Sequence, residues 1–203
     1  MGKTEKLNKL VQLEWDDFQK VTNKGGRAAC QDNPDTFFRT RISHFAHYPD
    51  EILDCIMNDI EQSRLDGRNL VAEKYAWMMQ STVPDEFANL KGSLTEPTLM
   101  GKVYAELIID CQLNWMADFR KHYPAIACKG RVFNTSEDTP NKTSFETYLR
   151  GELYTYSTNT LQEIYRFVKS SKAKGQNLVL LSTESEVKAF GYASLDDAEA
   201  KAK

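Results

Sequence analysis

The chain of 203 residues predicts an all-α fold, a single helical-bundle domain, on three observations. Apolar side chains recur every three or four residues along most of its length, as the buried stripe of a helix requires. Asn, Ser, Thr and Pro stand just ahead of those stretches and Gly just behind them, where helix ends need side-chain acceptors and a left-handed residue. No alternating run of Val, Ile, Thr or aromatic residues is long enough to force a strand, and only 177–181 reads either way.

Leu7, Leu10, Val11, Trp15, Phe18 and Val21 set the first helix, over about 4 to 23, with Asn23 and Gly25-Gly26 as its stop. Asn33-Pro34 opens a second helix toward His47, proline being suited to the first helical position, and Pro49 starts a third. Gly67 reads as a left-handed C-cap and Asn69 as the next N-cap, so two helices meet at a tight corner; Gly175 and Asn177 repeat the device. Ser93-x-x-Glu96 and Thr143-x-x-Glu146 have the pattern in which a hydroxyl and a carboxylate satisfy orphan backbone donors. The first should open a central helix over about 96 to 121 that buries Leu99, Val103, Leu107, Ile108, Cys111 and Trp115. The loop that follows, about twenty residues from 123 to 142, is far longer than a bundle corner needs, as functional loops often are. Ser194-x-x-Asp197 caps a short last helix, and the Ala/Lys tail after it is expected to contribute little.

Residues 36–71 recur in diverged form at 144–179, with nine identities at an offset of 108: Phe37, Tyr48, Leu53, Ile56, Ser63, Gly67, Asn69, Leu70 and Val71. The bundle is therefore expected to consist of two pseudo-repeats of helical hairpins, about 5–92 and 93–198. The shared Gly-x-Asn-Leu-Val encodes a corner rather than chemistry. Unshared segments are where chemistry is expected: Cys30-Gln31-Asp32 ahead of one copy and Ser136-Glu137-Asp138 ahead of the other.

With 26 basic and 29 acidic residues the formal charge is −3, and no basic stripe interleaves with aromatics, which argues against a nucleic-acid partner. Four scattered cysteines without a CxxC pair fit reduced thiols rather than a disulfide framework. No apolar signal core and no run of about eighteen apolar residues is present, so no membrane partner and a cytoplasmic location are expected. No cofactor is implied, and a homodimer is compatible with the sequence.

Several clusters carry candidate chemistry. Gly25 and Gly26 let the backbone approach a ligand, and Arg27 would grip a carboxylate or phosphate, or else pair with an acid of the fold. Cys30 is a nucleophile if its thiolate is stabilised and an inert thiol if not. Gln31 would orient substrate or tie down its loop. Gly130-Arg131 stands before the second module as Gly26-Arg27 does before the first. Tyr148 and Glu152, and Glu146 and Arg150, are i,i+4 pairs that put phenol, carboxylate and guanidinium on one helix. Asp138 is a further acid–base candidate. His44 and His47, at i,i+3, would hold a metal only with ligands from elsewhere.

The same residues carry a resemblance. Glu14-Trp15-x-x-Phe18, Asn23-x-Gly25-Gly26-Arg27-Ala28-x-Cys30-Gln31, Gly67-Arg68-Asn69-Leu70-x-x-Glu73-Lys74-Tyr75-Ala76, Ser136-Glu137-Asp138 and Thr143-Ser144-Phe145-Glu146-Thr147-Tyr148-Leu149-Arg150-Gly151-Glu152-Leu153 together resemble the bacterial domain-of-unknown-function family 4125. The resemblance spans nearly the whole chain, implies one intracellular domain and supplies no reaction. Where that family has a Ser-Gln-Phe triplet this chain has Ser43-His44-Phe45, which speaks against a metal at His44. The expectation is an enzyme handling an anionic small molecule, amino-acid-derived compounds included, in a cleft between the halves. Arg27, Arg131 and Arg150 would bind it, Glu152 or Asp138 with Tyr148 would move protons, and Cys30 would attack or line. The alternatives are a non-catalytic groove for a peptide or subunit, and a metal enzyme built on His44 and His47.

Overall fold

A computed structural model describes residues 1–22 and 25–203, and among them the regular structure is helical, with one isolated bridge between Thr139 and Lys142. Eleven α-helices follow in order: α1 (Lys3–Phe18), α2 (Pro34–Phe45), α3 (Asp50–Leu65), α4 (Leu70–Thr82), α5 (Pro84–Leu90), α6 (Leu99–His122), α7 (Pro124–Lys129), α8 (Phe145–Leu153), α9 (Thr158–Ala173), α10 (Leu178–Ala189) and α11 (Leu195–Ala202). None of them is long and apolar enough to cross a membrane.

Local capping chemistry sets most of the boundaries. Asn33, Asn69 and Asn177 each accept the backbone N–H three residues on, satisfying donors that the first turn leaves orphaned. Gly67 (φ 71) and Gly175 (φ 69) take the left-handed conformation that closes α3 and α9, where a Cβ would be strained. The asparagine amides also reach outward, Asn69 Nδ2 donating to Asp17 O at 2.8 Å and Asn177 Nδ2 to Trp115 O at 3.0 Å. The first corner is thereby tied to α1 and the second to α6.

The halves interleave. Helix α4 lies on α8 and α10 lies on α2, while α3 and α9 meet at the centre. The apolar core takes Leu10, Val11, Phe45, Leu53 and Ile56 from one half and Ile108, Ile109, Leu161, Ile164 and Val168 from the other. Helix α8 reaches α4 closely because residue 151 is glycine: a Cβ there would stand 2.8 Å from Lys74 O and 2.9 Å from Met78 Cγ.

Five expectations are corrected. Helix α1 stops at Phe18, short of Val21, and the Asn23 stop lies outside the described residues. Ser93 closes a short 3-10 turn by donating to Leu90 O, and Thr98 is the true N-cap of α6; Pro97 disfavours a helical Glu96. Helix α6 buries Ile108, Cys111 and Trp115 as expected, but the stripe fails over its first turns: Leu99, Val103 and Leu107 are 80%, 43% and 44% exposed, because Ala105, Ile109 and Phe119 complete the buried face. The loop after α6 is structured in part by α7 and a 3-10 turn at Thr135–Glu137, and Glu199 of α11 accepts the Ala125 and Ile126 N–H groups that open α7. Ser144, not Thr143, caps α8, and 177–181 begins a helix because Asn177 caps it.

Candidate functional site

Four charged side chains from four helices meet in the interior. Glu14 (α1), Arg41 (α2), Lys74 (α4) and Glu152 (α8) are each 6–7% exposed, which for ionised groups requires pairing. Arg41 grips Glu14 with two parallel bonds, Nε to Oε2 at 2.8 Å and Nη2 to Oε1 at 2.6 Å, and turns its remaining nitrogen to Glu152 Oε2 at 3.1 Å. Lys74 Nζ donates to the same Glu152 oxygen, while His44 Nε2 stands 3.4 Å from Oε1. Burial alone would push the Glu152 carboxyl up, but Arg41, Lys74 and His44 outweigh it and hold the group well below the usual range. Arg41 is held charged in the same way, burial opposing and Glu14 and Glu152 prevailing.

Above this cluster opens a cavity of about 210 Å³ between α2, α8 and α10. Helical spacing supplies its walls, Thr40, Arg41 and His44 from one face of α2 and Ser182 and Glu186, four apart, from α10. Tyr148 and Arg131 complete it. The Tyr148 ring lies between two cations, with Lys74 Nζ 3.7 Å and the Arg131 guanidinium carbon 4.1 Å from its centroid, both within cation–π range. Arg131 donates to Thr143 O at 3.3 Å and has no carboxylate partner among the described residues. Glu186 accepts from Thr40 Oγ1 at 2.9 Å and likewise has no cationic partner among them. Burial, with the electrostatic effect of Glu152, pushes the buried Tyr48 and Tyr156 phenols up, so both stay protonated.

An adjoining cavity of about 220 Å³ shares His44, Ser182 and Glu186 with the first. Its other walls are mainly apolar, including Met116, Phe145, Leu149, Leu178 and Val179.

Of the residues singled out from sequence, Tyr148, Glu152, Arg131 and His44 come together here, and His47 lines the adjoining cavity. The rest stand elsewhere. Arg27 clamps its own loop, holding Asp32 at 2.6 Å and Gln31 O at 2.7 Å as well as Gln19, with Gly25 and Gly26 exposed beside it. Gln31 is 1% exposed and ties Phe18 O, Val21 O and Ala28 N together, while Cys30 is exposed and lines neither cavity. Arg150 binds Glu106 and Glu146 on the far side of α8. Asp138 accepts from Ser81, Thr147 and the Ser144 N–H; burial pushes its carboxyl up, but these bonds prevail and lower it. His47 Nε2 is engaged by Leu181 O and Ser185 Oγ, and no three His, Cys, Asp or Glu side chains among the described residues converge as metal ligands would.

A model of the family described as "Protein of unknown function (DUF4125)" matches residues 4–200. The chain belongs to that family. The match covers every element that builds the cluster and both cavities. No curated protein and no solved structure matches it.

Glu14, Arg41, Lys74, Ser182 and Glu186 were not among the candidates from sequence, although Glu14 and Lys74 stand inside the motifs that carry the resemblance, and the 108-residue offset sets Arg41 against the buried Leu149.

Proposed function

We propose that this chain binds an anionic small molecule in the cavity beneath Arg131 and acts on it by acid–base chemistry. The observation that carries this is the arrangement of charge: Arg41, one member of a buried, fully paired ionic cluster, lines the cavity, and Arg131, a guanidinium without an ionic partner among the described residues, lines it too. A desolvated cluster of fixed charges strengthens any ionic contact made beside it. Arg131, stacked on Tyr148, is preorganised to meet a carboxylate or phosphate.

His44 is the proton-transfer group of this reading. The Glu152 carboxylate, held ionised, would fix the tautomer that keeps a proton on Nε2 and leaves Nδ1 as the base. Glu152 is then a positioning residue and not itself an acid. A glutamine at position 44, as in the triplet of the resembling family, keeps a donor for Glu152 but moves no proton, so binding and proton transfer separate at this residue. Cys30, Arg27, Asp138 and Arg150 have no part in it.

The test is to follow the His44 imidazole signal by NMR, assigned with His44→Gln, while titrating 4-methylpentanoate and, separately, inorganic phosphate. At least one anion should shift it saturably, and Arg131→Ala should weaken that anion roughly tenfold or more, the worth of one charge-assisted contact. An imidazole signal that neither anion moves overturns the proposal.

A further inference from the structure

We infer that the ligand of this site is a zwitterion with an apolar tail, an α-amino acid whose side chain is hydrophobic. The inference rests on the anion-binding reading above and adds a second charge and a shape to it.

The second charge comes from Glu186. An anion site has no use for a carboxylate in its wall, since like charges disfavour binding. Yet Glu186 lines the same cavity as Arg131, and among the described residues neither has an ionic partner. Glu186 is not idle geometry: Thr40 Oγ1 donates to its Oε1 at 2.9 Å and fixes the carboxylate on the α10 wall. The surrounding charges of the cluster are already matched, Arg41 to Glu14 and Glu152 and Lys74 to Glu152. What remains unmatched is therefore one cation and one anion facing a single cavity of about 210 Å³. A molecule carrying a carboxylate and an ammonium group close together satisfies both, and a simple anion satisfies only one.

The shape comes from the adjoining cavity. It opens where the first ends, at His44, Ser182 and Glu186, and its about 220 Å³ are walled mainly by apolar side chains, Met116, Phe145, Leu149 and Leu178 among them, with His47, Gln112 and Thr183 also in the wall. Ligand sites commonly combine an apolar chamber with a few placed polar groups. A branched, thioether or aromatic side chain attached to the carbon between the two charges enters this chamber directly. His44 stands at the junction, beside that carbon.

Isothermal titration calorimetry on the full chain tests this with three pairs of probes: L-leucine and 4-methylpentanoate, L-methionine and 4-(methylthio)butanoate, L-phenylalanine and 3-phenylpropanoate. Each pair differs by the amino group. The tightest amino acid should bind at least tenfold more strongly than its deaminated partner, and at least tenfold more strongly than glycine. Glu186→Gln, which keeps the bond to Thr40, should erase the first difference and leave the second. Deaminated acids binding as tightly as the amino acids would overturn the zwitterion and leave the anion site standing. If no amino acid binds while phosphate still shifts the His44 signal, the inference falls alone. If no probe binds or shifts that signal, the anion site falls with it.

Discussion

Glu152 accepts from a lysine and an arginine, faces a histidine, and has almost no access to water. Such a cluster adds little net stability over an apolar core, but its parts are costly to remove singly, because the partners stay buried and charged. Glu152→Gln should therefore cost about 3–5 kcal/mol in urea denaturation, while the same change at exposed Glu5 costs almost nothing. The sign of the pH effect follows from the depressed carboxyl. Near the ordinary glutamate value of 4.5 and below it, the unfolded chain binds a proton that the folded chain refuses. The contribution is complete above that value and is lost as pH falls through the folded value. Wild-type stability should fall on acidification below about 4.5, and the fall should be shallower in Glu152→Gln; parallel curves for the two proteins would contradict this account.

At the scale of elements, Gly151 shows packing overriding propensity. Alanine in mid-helix is favoured over glycine by about 1 kcal/mol. Here the added methyl would meet the Lys74 carbonyl at 2.8 Å, a backbone atom that yields only if α4 moves away from α8. Overpacking of that kind costs about 1–3 kcal/mol, so Gly151→Ala should be a net loss and should disturb the Lys74–Glu152 contact. Gly92→Ala, with nothing within 4 Å of its added carbon, should be near neutral in the same melting experiment. The contrast explains what was legible in the sequence. The corners at Gly67-Asn69 and Gly175-Asn177 are written in residues two apart, and the acceptor and the donor it caps lie within one turn. The ionic cluster is written in Glu14, Arg41, Lys74 and Glu152, spread across 138 residues, and each alone resembles surface charge. The face of α6 is legible only in part for a related reason: Ile108, Cys111 and Trp115 are buried, but Leu99, Val103 and Leu107 have the same spacing and are exposed, because the approach of α9 and α10 decides which stripe is covered.

Across the whole molecule, positions related by fixed sequence offsets carry unequal side chains around the two cavities and the ionic cluster. The asparagine tethers align α1 with α6 at an offset of 98 residues, so that Leu10, Val11 and Glu14 match Ile108, Ile109 and Gln112. At the offset of 108, Arg41 matches Leu149, Lys74 matches Ser182, Tyr48 matches Tyr156, and His44 matches Glu152, the residue it faces. Positions 41 and 74 are Arg and Lys and belong to the ionic cluster, while positions 149 and 182 are Leu and Ser and line a cavity of about 220 Å³. The exchange has opposite consequences at its two ends. Lys74→Ser removes a cation from a buried carboxylate and should cost about 3 kcal/mol or more. Ser182→Leu adds apolar volume to a chamber already walled by Met116, Phe145, Leu149 and Leu178, at the cost of one bond inside α10, Ser182 Oγ to Val179 O. That bond is worth about 1 kcal/mol, and burying the leucine side chain returns about 1.5–3 kcal/mol. Ser182→Leu should thus melt at or above the wild-type temperature while abolishing binding of L-methionine by calorimetry. A large loss of stability in Ser182→Leu would mean that the chamber has no room to spare. Unchanged methionine binding in a stable Ser182→Leu would mean that the ligand does not use it.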